Sequence, residues 1–205
     1  MGAAADCELF TAGMLAQPVN ASTCAALAAA GGFLARRPST RWVGLGLMAT
    51  GFGSFLFHGP LAPGGEWIHD VTLAWLVLLL ATYRQRREHW ARLPGLVVLA
   101  FAFALEPSVA DGITAALAAI AIIRLWLADR SSRTTLPLAL LAAVALVGRL
   151  GSTDGPWCNP ESILQPHGLW HVGAAVAVTW WAIGRESHIA TNDYQSAEPR
   201  IDSEN

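Results

Sequence analysis

Residues Gln165–Ile183 read QPHGLWHVGAAVAVTWWAI, an apolar stretch whose first turn carries two imidazoles. His167 and His171 are four residues apart, so on a helix both leave the same face, one turn apart. A helix entering a membrane has little reason to stack two imidazoles at its head unless they bind something. Ser54 and His58 repeat the spacing at the end of an earlier apolar run, and Asp70 stands near the start of the next. These five residues read as one metal site, held in place by the other segments.

Outward from that stretch, the composition is that of a membrane protein. Of 205 residues, 54% are hydrophobic and 14% charged, with a mean hydropathy of +0.42; a soluble domain carries about 25% charged residues. The charges collect between apolar runs at 20–35, 42–57, 67–83, 93–105, 109–128, 134–150 and 164–184. Several runs are shorter than the ~20 residues a perpendicular helix needs to cross the hydrocarbon core. Their ends extend into flanking Arg and Trp residues, which suit the interface; paired Trp180 and Trp181 read as such a belt. The expected fold is an all-α membrane protein, a seven-transmembrane helix bundle over 20–184. A segment 1–19 precedes it, and a polar, disordered tail over 185–205 follows. Six spans is the competing count.

All thirteen basic residues are arginine, and twelve fall on one side of a seven-span topology. Arg36, Arg37 and Arg41 lie between runs one and two, and Arg84, Arg86, Arg87 and Arg92 between three and four. Arg124, Arg130 and Arg133 surround the connection between five and six, and Arg185 and Arg200 follow run seven; only Arg149 falls on the other side. By the positive-inside rule the N-terminus is outside and the C-terminus cytoplasmic. The expected location is a bacterial inner membrane, with the site near the outer face. A net charge of −2 without a basic patch excludes a nucleic-acid partner. Nothing in the sequence marks an obligate protein partner, and the first residues lack the basic and apolar regions of a cleavable signal.

In this topology the second run ends at Ser54 and His58, the third begins at Glu66 to Asp70, and the seventh begins at His167 and His171. All three clusters lie at similar depth. Three imidazoles with an open position are a ligand set for catalytic zinc. Asp70 fits a proton acceptor and Ser54 a donor to a developing oxyanion. His69, about 100° around the helix from Asp70, reads as a supporting or loop residue. His89 and His188 read as structural or solvated, and Cys24 as a small core residue.

At these residues the chain resembles the alkaline ceramidase family, seven-span membrane hydrolases related to the adiponectin-type receptors. The matching elements are Ser54-x-x-x-His58, Asp70 twelve residues later, and His167-x-x-x-His171 within QPHGLWH; Cys7-Glu8 and Pro18 to Ser22 resemble the family's opening motif. The resemblance implies zinc on His58, His167 and His171, with Ser54 and Asp70 assisting hydrolysis of a lipid amide such as ceramide, the lipid entering from the bilayer. It also implies calcium near the N-terminus, for which Asp6, Glu8 and Asn20 are the oxygen ligands present. Gln17 stands where the family has a glutamate, and Asp6 where it has an aromatic residue. Cys7 and Cys158 resemble a cysteine pair that is bonded in the family, and both fall on the outer face, where disulfides persist. The alternative is a receptor or sensor of the same architecture with a structural zinc. A transporter ranks last, because no internal repeat is evident and the site lies near one surface.

Overall fold

The computed structural model describes residues 6–85 and 88–197. All regular structure among them is helical: α1 (Pro18–Ala35), α2 (Arg41–His58), α3 (Gly65–Ala81), the single turn α4 (Glu88–Ala91), α5 (Leu93–Leu105), α6 (Ala110–Ala128), α7 (Ser132–Leu150) and α8 (Pro166–Ala197). A 3-10 turn at Pro107–Val109 leads into α6. Each apolar run forms one helix, with ends shifted by two residues or fewer except at the end of α8.

Three helical segments are long and apolar enough to cross a membrane: Pro18–Ala35, Pro107–Ala128 and Ser132–Leu150. The apolar α5 has 13 residues, about 20 Å of helix. The α3 helix has 17 residues, and α2 and α8 are diluted by glycines, tryptophans and the histidines of the candidate site. The same polar groups that mark the site therefore lower the apolar character of the helices that carry it.

The α8 helix packs between α1 and α7, α2 packs between α1 and α3, and α3 carries both α5 and α6. Helices α6 and α7 scarcely touch each other. Six helices thus enclose a common interior, and α5 lies outside against α3. The α1–α2 contact is made backbone to backbone. A Cβ on Gly31 would lie 2.2 Å from the Met48 nitrogen, and one on Gly44 would lie 2.3 Å from the Ala35 nitrogen. Small residues permit that approach, as they do between helices in bilayers.

Two expectations change. The helical domain was expected to end at 184 with a disordered tail beyond, but α8 continues to Ala197. The Arg185 guanidinium pairs with Asp129 at 3.1 Å, which ties the helix down past that boundary. The side chain of His188 and residues 198–205 lie outside the described residues. The tryptophan pair also divides. Trp180 is exposed, while Trp181 is a core residue, 2% exposed, with its ring edge-on to Tyr83 at 4.9 Å. Neighbours on a helix point about 100° apart, so one indole faces out and the other in.

Candidate metal centre

The centre is assembled by a strap, residues 6–17, which crosses the ends of three helices. Cys7 is bonded to Cys158, with Cα atoms 5.5 Å apart. Cys7 takes a left-handed φ of 68°, and its N–H donates to Thr153 Oγ1 at 3.1 Å. Beyond the disulfide, the buried Gln165 amide donates to the carbonyls of Asn159, Pro160 and Ser162. That places the loop bearing Cys158 against the start of α8. The two Glu8 carboxylate oxygens accept the N–H groups of Val19 (2.7 Å) and Asn20 (2.8 Å). These are donors a helix start leaves without partners, and negative charge is favourable there. Gln17 N–H donates to the His58 carbonyl at 2.9 Å and Ala16 N–H to that of Gly59 at 2.8 Å, joining the strap to the end of α2.

His58 from α2 and His167 and His171 from α8 meet beneath this strap. Ring centroids are 4.8 Å apart for His58 and His167, 5.5 Å for His58 and His171, and 4.6 Å for His167 and His171. One ligand atom from each lies within 4.8 Å of the others. Each Nδ1 has an acceptor. His58 Nδ1–H donates to Gln17 Oε1 at 2.7 Å, and His167 Nδ1–H to Asp6 Oδ1 at 3.2 Å. His171 Nδ1 lies 3.0 Å from Thr23 Oγ1. The Thr23 hydroxyl hydrogen is directed at the carbonyls of Val19 and Asn20, so its oxygen accepts from His171.

With every Nδ1 protonated, each Nε2 carries a lone pair. All three Nε2 atoms are buried and lack a hydrogen-bond partner. An orphaned buried acceptor is costly, and three converging on one place are an arrangement that a cation resolves. A neutral imidazole set suits zinc as it does copper, iron and nickel, and metal-ligating histidines characteristically donate their other nitrogen to an oxygen, as all three do here. The residues fit the group.

The remaining site residues surround these rings. Ser54, one turn before His58, is 1% exposed, and its hydroxyl has no partner. His69 belongs to α3 and not to a loop, with its ring 6.1 Å from that of His58. Its Nδ1–H donates to Asp70 Oδ1 at 2.9 Å. His69, and not Asp70, lines the interior cavity beside Ser54 and His171. That cavity, about 90 Å³, descends among apolar side chains of all six enclosing helices to Leu125, Pro137 and Trp181. From His171 to Trp181 it follows α8 for about 15 Å.

Two of the three oxygen ligands expected for calcium have other work. Asp6 bonds His167 and lies 3.8 Å from His58 Nδ1, and Glu8 caps α1 with both oxygens. Asn20 is fully buried, and its side-chain amide has no partner. Among the described residues, the one cluster of three or more His, Cys, Asp or Glu side chains that could hold an ion is the three histidines. Burial, the largest influence, raises the Asp6 carboxyl to about 6, with Asp111, Asp70 and Glu66 adding to the rise against His69. Asp6 is therefore largely ionised at neutral pH and can accept from His167.

Sequence reasoning noted Gln17 only as a departure from the family's glutamate and passed over Thr23; the two accept from His58 and His171. Polar residues at the start of an apolar run carry no period or motif that marks them as partners of residues more than 40 positions away. Comparison with models of known protein families and with curated proteins gives no match.

Proposed function

We propose that this protein is a zinc-dependent membrane hydrolase that cleaves the amide bond of a long-chain lipid, as its resemblance to the alkaline ceramidases implies. In this reading seven helices span the membrane, with the N-terminus outside, the C-terminus cytoplasmic and the site near the outer face of a bacterial inner membrane. The observation that carries it is the set of three buried Nε2 lone pairs, each fixed by a bonded Nδ1–H, at the head of an apolar cavity. Exposed apolar side chains on several helices, including Phe52, Phe101, Ile123, Leu146 and Val176, suit contact with lipid.

His58, His167 and His171 would hold the metal and leave a position open. Zinc, when bound, lowers the pKa of a water to about 7 and polarises a carbonyl. The Asp70 carboxylate orients His69 through Nδ1–H, which leaves His69 Nε2 as an acceptor at the cavity wall. This pair takes the proton of the attacking water and returns it to the leaving amine. The Ser54 hydroxyl, without a protein partner, donates to the oxyanion that develops on the amide oxygen. The acyl chain lies in the narrow cavity, whose apolar walls offer no group that competes for water. The sparse contact between α6 and α7 is where a lipid would enter sideways.

The test is zinc stoichiometry of the purified protein beside fatty-acid release from ceramides and other acyl amides. His167→Ala is expected to lose metal. Asp70→Ala is expected to keep metal and lose turnover. Stoichiometric zinc with no turnover on any lipid amide or ester would favour the receptor reading, and absence of zinc would remove both.

A further inference from the structure

The end of the bundle opposite the histidines carries a second cavity, about 290 Å³, that the hydrolase reading does not use. Ser39 and Trp42 form one wall, and Thr82, Tyr83, Arg84, Arg92 and the Glu88 carboxylate the other. We propose that it binds the phosphate of an anionic phospholipid. This rests on the membrane orientation proposed above and not on the zinc chemistry.

Charge is the first argument. Arg92 donates to Glu88 at 2.8 Å and lies over the Trp42 ring, 5.4 Å from its centre. The other Glu88 oxygen accepts the backbone N–H of Arg84 at 2.8 Å, at a residue with a left-handed φ of 58°. Glu88 thus holds the turn together and offsets one arginine. The Arg84 guanidinium has no ion pair among the described residues. Two planar forks, one of them uncompensated, match phosphate oxygens well. Arg36, Arg37, Arg41 and Arg124 lie at the same end, and basic pockets at the cytoplasmic side of membrane helices hold lipid headgroups.

Shape is the second argument, and it separates a lipid from a free phosphate. A further depression, lined by Leu78, Thr82, Trp90 and Ala91, shares Thr82 with the cavity and is open at the protein surface. Trp90, 63% exposed, and the exposed Leu93 prolong its apolar face. A charged chamber and an apolar groove that meet at one residue accommodate an amphiphile. The headgroup phosphate sits on Arg84 and Arg92, and an acyl chain lies along Trp90.

The test titrates dioctanoyl phosphatidylglycerol into the protein in neutral detergent and follows tryptophan fluorescence and thermal unfolding. Parallel arms use dioctanoyl phosphatidylcholine and inorganic phosphate. Saturable binding of phosphatidylglycerol is expected, with about tenfold or weaker binding in Arg84→Gln, since one charge-assisted contact to phosphate is removed. Arg84→Lys is expected to fall between the two. Trp90→Ala, at an exposed position that leaves the fold intact, is expected to weaken the lipid by severalfold. Helical circular dichroism checks the fold of each variant. Equal binding of phosphatidylcholine, inorganic phosphate binding as tightly as the lipid, or unchanged affinity in both Arg84→Gln and Trp90→Ala would overturn the proposal. A wild-type protein without zinc would fail the hydrolase reading and leave this one standing.

Discussion

Replacing Thr23 by valine removes one oxygen from α1 and keeps the branched shape of the side chain. That oxygen accepts from His171 Nδ1–H at 3.0 Å, while its own hydrogen is held by helix carbonyls. His171 is 1% exposed, so its N–H would lose its partner in a place water does not replace it. The Cys24 sulfur, 3.7 Å from the same nitrogen, is a weak acceptor. The Asn20 carbonyl, which also bears on this ring, is the one oxygen that could take up part of the bond, so the loss is expected at the lower end of the cost of an unpaired donor. A buried donor left unpaired costs about 1–3 kcal/mol, which is about 5- to 150-fold in an equilibrium constant. Loss of such partners of metal-bound histidines lowers metal affinity about 10- to 100-fold. Competition against a chelator of known affinity measures the change, and Thr23→Ser, which keeps the oxygen, is expected to stay within about twofold of the natural protein. A folded Thr23→Val variant that holds zinc as tightly as the natural protein would refute the view that the Nδ1 contact fixes the ring.

Four further outcomes follow from the geometry. Ser54→Ala should retain zinc and lower kcat by about 100- to 1000-fold with little change in KM, as loss of an oxyanion donor does. Gly31→Ala should lower the thermal midpoint in detergent and destabilise by about 1–3 kcal/mol or more, because its Cβ meets the Met48 backbone and no side chain can yield. Cys158→Ser frees the strap that carries Asp6 and Gln17, so zinc affinity should fall even where the helical content is unchanged. Asp129 is held at about 2, below its ordinary 3.8, by the Thr134 hydroxyl, then Ser131 and Arg185. A depressed carboxyl contributes stability above about pH 4 that disappears as pH falls towards 2, so Asp129→Asn should flatten that part of the acid unfolding profile.

Much of the architecture is local and so is readable in order along the chain. Apolar runs bounded by arginine, proline and glycine became helices within two residues of their expected ends, the end of α8 excepted. The i, i+4 spacings at Ser54 and His58, and at His167 and His171, place each pair on one face because helical geometry is the same everywhere. Where the reading went astray, a contact between distant residues decided the matter. The single-residue offset between His69 and Asp70 gives no sign that the imidazole lines the cavity and the carboxylate stands behind it. Trp180 and Trp181 are alike in composition, and only the packing against Tyr83 distinguishes them.

By itself, then, the sequence determined an all-helical chain of apolar runs, read as seven spans where three helical segments are long and apolar enough to cross a membrane, and a short roster of histidines spaced for one face. Only the tertiary structure decided that His58 joins His167 and His171 with three free Nε2 atoms, and that Asp6, Gln17 and Thr23 hold the opposite nitrogens. The physical reason is range. Helix formation and side-chain periodicity are set by neighbours within a turn or two, whereas a ligand set and its hydrogen-bonded supports depend on a strap and a disulfide that close residues 151 positions apart in sequence.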